Sequence, residues 1–181
     1  MLGLHEYLRD GTRDAHAAVD AAFGSLDLTR RDDYVRFLTA HYMAVAPLQP
    51  VLAGFAKRHL DMAAPDYRAL LGDDLAALNV KTEQLPLLEM DAMDERGASY
   101  VLAGSRLGMS MIRRRGYWGA TAGRPSDYME DDRGIAVWKR LLTWFAEQRM
   151  KPEQAASTLE AARRCFDFFR IAFAASKGVK G

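Results

Sequence analysis

Apolar residues recur every three or four positions along most of the chain, which is the spacing of helices with one buried face. The first such segment runs from Leu4 to Phe23, and its apolar stripe consists of Leu4, Leu8, Ala15, Val19 and Phe23. A second, mostly polar line follows that stripe at steps of three and four: Arg9, Thr12, His16 and Asp20. The pattern therefore predicts one long helix with these polar side chains along a single side.

The same periodicity predicts further helices, separated by segments rich in glycine, proline or polar residues. Thr29, with Asp32 three residues later, resembles a capping box for a second helix. Pro47 is expected to kink or end that helix, and Pro50 to break it again. Later helices are predicted over 65–78, 93–115, 135–148 and 152–176. With no strand pattern, repeat or linker, the sequence predicts a single all-α domain over 1–181, a bundle of about seven helices.

The predicted helix 93–115 is interrupted by two glycines, Gly104 and Gly108. Each costs about 1 kcal/mol relative to alanine in a helix interior. Because they lie four residues apart, they stack on one face of the helix. A face without side chains serves either a close crossing with another helix or the approach of a large flat ligand. Spacing alone leaves both interpretations open.

Four histidines are candidate ligands, and His16 and His41 are the strongest. Asp20 lies one turn after His16, within reach of its imidazole Nδ1, where a carboxylate would orient the ring and raise its basicity. His41 lies on an apolar face and is better interpreted as a buried core residue. His5 and His59 stand among charged residues and are expected to be solvated.

The composition narrows the functional classes. The chain has 181 residues, 49% of them hydrophobic, and a formal net charge of +1, which argues against a general nucleic-acid binder. No apolar run approaches the roughly 20 residues that span a bilayer, and the N-terminus lacks a signal-peptide pattern, so a cytoplasmic protein is expected. The one cysteine, Cys165, excludes an intramolecular disulfide and a cysteine-based metal cluster, and its apolar helix predicts an inert thiol.

Two stretches together resemble the haem oxygenase family, in particular its bacterial and phytochrome-associated members. They are LxxxTxxxHxxxD, which ends at Asp20, and YVLAGSRLG, which spans 100–108. The resemblance implies a haem-oxygenase-like fold in which the first stretch supplies the axial ligand of the haem iron, His16. The second stretch would be a kinked distal helix whose Gly104 and Gly108 lie over the haem.

Further site residues follow from the same resemblance. Ser105 would support a distal water network, and Thr12 and Phe166 would line the cofactor. Arg9, with Arg13 as an alternative, would pair with the haem carboxylates. The chain departs from the family at Asp20, where glutamate is usual, and at Met109, where a second small residue is common. Met109 either points away from the slot into the helix packing or narrows the pocket.

The implied activity is the oxidative opening of haem to biliverdin, carbon monoxide and ferrous iron. Electrons would come from a separate reductase or ferredoxin, because no flavin or iron–sulfur signature appears in the sequence. Two alternatives remain open. One is a regulatory domain of the same fold, with or without haem, that docks onto a signalling partner. The other is a different enzyme on this architecture, such as one of thiamine-related chemistry, for which Cys165 would be the only thiol nucleophile.

Overall fold

The computed structural model describes residues 3–181, and over that range the chain is helical without β-strands. The eight α-helices are α1 (Leu4–Gly11), α2 (Arg13–Phe23), α3 (Arg31–Phe55), α4 (Tyr67–Ala77), α5 (Glu95–Arg115), α6 (Asp127–Glu130), α7 (Gly134–Glu147) and α8 (Pro152–Ala175). A π-helical turn, Ala56–Leu60, extends α3, and short 3-10 turns occupy Thr82–Gln84 and Trp118–Ala120. The predicted all-α class is confirmed.

The first predicted helix is two helices, because the chain breaks at Thr12. This residue has φ −101° and ψ 0°, outside the helical range, and separates α1 from α2. Its hydroxyl donates to the Leu8 carbonyl at 2.8 Å, and its own carbonyl accepts from the His16 amide at 2.8 Å. A threonine hydroxyl that competes for a helix carbonyl favours such a break. The prediction of one continuous helix from Leu4 to Phe23 is therefore wrong.

The second helix also differs from the prediction. It begins at Arg31 rather than after Thr29, whose amide and hydroxyl instead donate to Asp27 at 3.1 and 2.6 Å in a turn. It then continues through Pro47 and Pro50 to Phe55. Each proline removes one backbone donor, yet α3 is largely buried and its packing against α4, α5 and α8 stabilises the helical path.

Helices α3, α5 and α8 pack against one another and form the centre of the bundle, while α4 covers α3 and α7 covers α5. The closest crossing lies at Gly97 of α5, where an added Cβ would be 2.3 Å from the Thr158 carbonyl oxygen. Asp94 fixes that end of α5 by accepting from the Arg96 amide at 3.0 Å and the Thr158 hydroxyl at 3.1 Å. The tight contact between α5 and α8 therefore uses Gly97, not Gly104 or Gly108.

Helix α2 lies along α8: His16 contacts Phe166, and about two turns further along both helices Phe23 contacts Phe173. Both α2 and α5 pack against α8, yet over residues 3–181 they do not pack extensively against each other. The His16 helix and the glycine-bearing helix are therefore both supported by α8. None of the helices in this range is long and apolar enough to cross a membrane.

Candidate functional site

The side chain of His16 projects from α2 and is mostly exposed to solvent. Its side chain is 59% exposed, and its ring lies beside the half-buried Phe166 of α8, with 5.3 Å between ring centroids. An exposed imidazole with one apolar wall is available as a ligand on its free side. The structure thus brings together two of the residues that the sequence assigned to the cofactor site.

Asp20 faces His16 differently from the prediction. Its Oδ1 atom lies 3.6 Å from Nε2 of the imidazole, not from Nδ1, and this separation is beyond a hydrogen bond. Both side chains are mostly exposed, and in this orientation Nδ1 is the ring nitrogen that is not directed at the carboxylate.

Arg9 and Arg13, which were predicted to pair with the haem carboxylates, lie on the exposed side of α1 and α2. Arg9 donates to Asp10 at 3.2 Å, and Arg13 donates to the same carboxylate oxygen at 3.5 Å. Exposed ion pairs of this kind contribute little to stability, so either guanidinium can exchange Asp10 for another carboxylate. Thr12, in contrast, is buried and its hydroxyl already donates to Leu8.

The second half of α5 presents an apolar, uncovered face around Gly108. An added Cβ at Gly108 would meet no atom within 4 Å, and its neighbours Leu107 and Met111 are 46% and 52% exposed. Met109 points the other way: it is 6% exposed and packs in the hydrophobic core. Successive helix positions differ by about 100°, which accounts for this separation of faces.

Gly104, one turn earlier, faces a tryptophan instead of open space. An added Cβ there would lie 3.2 Å from Cζ3 and 3.4 Å from Cη2 of Trp138, which projects from α7. The same indole packs on Tyr100 of α5 at 5.5 Å and on His5 of α1 at 5.9 Å between ring centroids. The side chain of Trp138 therefore links α1, α5 and α7 at the level of Gly104.

This aromatic cluster was not predicted as part of the site. Trp138 appears in the sequence only as a member of the apolar stripe of its helix, and no local signal places α7 against Gly104. His5 was expected to be solvated, which is wrong: it is half-buried, and burial together with the nearby Arg9 lowers the pKa of His5. Burial likewise raises the pKa of Tyr100.

Ser105 is half-buried, and its hydroxyl donates to the Leu102 carbonyl within α5 at 2.7 Å. A hydroxyl that donates to the backbone still has lone pairs with which to accept from a water molecule. The predicted role in a water network therefore stays a prediction that its hydrogen bonding permits.

Arg106, between the two glycines, is a buried cation that the sequence interpretation did not single out. Its Nη2 donates to the carbonyls of Tyr128 and Asp131 at 2.6 and 2.7 Å, and its guanidinium carbon lies 4.9 and 4.7 Å from the Tyr67 and Tyr128 ring centroids. Nε and Nη1 have no hydrogen-bond partner in residues 3–181. Arg106 thus fastens the middle of α5 to α6 and to the segment that leads into α7.

His41, the rival ligand, is a core residue as predicted. Its Nδ1 donates to the Phe37 carbonyl at 2.8 Å, and its ring is enclosed by Phe23, Phe37 and Phe169. Burial lowers the pKa of His41 to about 4, so the imidazole is neutral near pH 7. Cys165 is fully buried, and burial raises the pKa of its thiol, which argues against a nucleophilic role.

Comparison with solved structures gives the fold a known counterpart. The chain superimposes on the NO- and CO-bound haem oxygenase of Neisseria meningitidis with a TM-score of 0.80, and the alignment covers 100% of this chain and 95% of that one. The two sequences are 17% identical. No protein-family model matches the chain, and no curated protein sequence matches it. The chain therefore has a haem-oxygenase-like fold.

The site's residues can be tested for their fit to a haem group. An exposed imidazole, an uncovered glycine backbone with apolar neighbours and exposed guanidinium groups are what an axial ligand, a flat apolar face and a carboxylate rim require. His16, Gly108 and Arg9 supply these three features. Only the backbone at Gly104 is covered, by the indole of Trp138. The donor set fits haem, provided that this indole moves.

Proposed function

We propose that the protein is a haem oxygenase that holds haem between α2 and α5 and opens it oxidatively to biliverdin. The observation that carries this proposal is the uncovered face of α5 at Gly108, on a fold shared with a haem oxygenase, together with an exposed histidine on α2. An exposed apolar face typically marks a ligand or partner site.

In this proposal His16 binds the iron through the imidazole nitrogen that faces away from Asp20. The carboxylate of Asp20 then accepts from the other ring nitrogen, directly or through water, and fixes the orientation of the ring. The shorter aspartate and the 3.6 Å separation favour a water-mediated contact. Phe166 restricts the movement of the ring from the α8 side.

The distal side is formed by the backbone of α5. Without a Cβ at Gly108, the macrocycle can lie close to the helix, while Leu107 and Met111 shield its edges from water. Ser105 can hold an ordered water by accepting from it. Bound haem supplies the redox-active iron and the ring that is oxidised, and an external reductase or ferredoxin supplies the electrons.

The first test is titration of the purified protein with haemin. We expect saturation near one equivalent and a nitrogenous axial ligand in resonance Raman and electron paramagnetic resonance spectra. His16→Ala should remove that signature, and the matched change His59→Ala, at an exposed histidine paired with Glu95, should leave it intact. An unchanged spectrum in His16→Ala, or loss of the signature only on replacement of His41, would overturn the assignment of the ligand.

A second function, a domain of this fold that binds its ligand or partner without degrading haem, is favoured by one observation. Trp138 covers Gly104, so the distal backbone is only half uncovered. Addition of a reductant to the haem complex separates the two functions. Loss of the Soret band with formation of a bilin spectrum supports the oxygenase, and a persistent ferrous Soret band supports the non-catalytic domain.

A further inference from the structure

We propose that Trp138 occupies the inner end of the ligand slot and sets how readily a flat macrocycle enters it. This inference rests on the proposed function. The indole lies where the backbone of Gly104 would otherwise be uncovered, and three atoms of its six-membered ring, Cζ3, Cη2 and Cε3, lie 3.2, 3.4 and 3.7 Å from the position of a Cβ on Gly104. Gly104 therefore makes room for an aromatic side chain of the protein itself.

The contacts of Trp138 show that its side chain fills the space between α1 and α5. On the α1 side its ring meets His5 edge-on at 81°, and on the α5 side it packs on Tyr100 at 50°. It is 9% exposed, so this position is packed and dry. One turn further along α5 the backbone of Gly108 is uncovered. The slot is therefore closed at Gly104 and open at Gly108.

Two surface cavities lie elsewhere on the protein. Two cavities of about 380 and 590 Å³ lie around Asp94 and Ser157, and around Met43 and Leu88. Neither is lined by His16, Gly104 or Gly108. Because the indole lies 3.2 Å from the Cβ position of Gly104, a macrocycle that contacts both glycines must displace it, and the protein binds such a macrocycle from the conformation in which Trp138 has moved.

This requirement has a measurable consequence. When only a fraction of the molecules is competent to bind, the apparent dissociation constant is the intrinsic constant divided by that fraction. Removal of the Trp138 side chain, which closes the slot, should make every molecule competent to bind the macrocycle. If about one molecule in ten is open in the wild type, the gain is about tenfold.

The test is stopped-flow haemin association with the wild type, Trp138→Phe and Trp138→Ala. Phenylalanine retains an aromatic ring on α7 but lacks the outer indole ring that touches Gly104. We therefore expect the Trp138→Phe variant to fold even if the Trp138→Ala variant does not. We expect association at least about threefold faster in Trp138→Phe, and faster still in a folded Trp138→Ala. Trp144→Phe, the same change two turns further along α7 against Phe55, is the control and should change the rate less than twofold.

The outcomes separate this inference from the proposed function. Haemin that binds to the wild type through His16, with equal or slower association in both Trp138 variants, overturns the role of Trp138 and leaves the proposed function intact. Binding that appears only in the Trp138 variants supports the inference. Absence of haemin binding in every variant, with native circular dichroism, overturns both.

Discussion

Replacement of Gly108 by alanine tests whether that glycine serves a ligand or the fold. The added Cβ would meet no atom within 4 Å, so the folded state bears no steric cost. Alanine is favoured over glycine in a helix interior by about 1 kcal/mol. We therefore expect Gly108→Ala to stabilise the haem-free protein by about 1 kcal/mol, which corresponds to a rise of about 2–4 °C in Tm for a domain of this size.

The same methyl group should impair ligand binding. It would stand between the backbone of α5 and a macrocycle that packs on it, so we expect haemin affinity to fall at least about tenfold, or about 1.4 kcal/mol. The measurements are urea unfolding of the haem-free protein and haemin titration by Soret absorbance. More stable protein with weaker binding is the predicted combination.

Gly104→Ala is the matched control, because its Cβ would lie 3.2 Å from Trp138 and the indole would have to shift by a few tenths of an ångström. The gain in helix propensity is the same, but the contact with Trp138 offsets part of it, so Gly104→Ala should be less stable than Gly108→Ala. Destabilisation of the haem-free protein by Gly108→Ala, or unchanged haemin affinity, would show that Gly108 serves the fold and not a ligand.

Three further predictions concern the core around the site. The pKa of His41 falls from 6.5 to about 4 on folding, so the unfolded state binds more protons than the folded state between these pH values. The free energy of unfolding is therefore highest above pH 6.5 and falls by up to about 3 kcal/mol as the pH drops to 4. His41→Asn should flatten this part of the pH profile measured by urea unfolding. Arg106→Lys should lower the free energy of unfolding by about 2 kcal/mol, since lysine lacks the planar guanidinium that lies near the Tyr67 and Tyr128 rings, whereas Arg114→Lys on the exposed end of α5 should stay within about 0.5 kcal/mol. Met109→Ala should lower stability by about 2–4 kcal/mol, because the side chain is in the core, and should change the rate of haem degradation less than about tenfold.

The helical class and most helix positions were predictable because each helix buries one continuous apolar stripe, which is a local pattern. The break at Thr12 was not, since a threonine at a buried helix position gives no sequence signal that distinguishes continuation from interruption. The break predicted at Pro50 was wrong for a related reason. Local chemistry predicts an end, but packing on three neighbouring helices keeps α3 helical.

The candidate site was predictable only where it is local. His16, Asp20 and Gly108 carry motifs along single helices; their roles stay predictions, and Asp20 lies beside Nε2 of His16 rather than the predicted Nδ1. Trp138 is contributed by a helix about 30 residues away in sequence from Gly104, so its contact depends on how α7 packs on α5. Arg106 escaped notice because an arginine in an amphipathic pattern is expected to be solvated, whereas here two backbone carbonyls and two aromatic rings surround it.

The most direct test of haem oxygenase activity is a reductive single turnover of the haem complex, followed by absorption spectroscopy under air. We expect the Soret band of the wild type to disappear while a bilin band and one equivalent of carbon monoxide appear, and we expect His16→Ala not to carry out this conversion. A wild-type complex that keeps its Soret band after full reduction and exposure to oxygen would contradict the account.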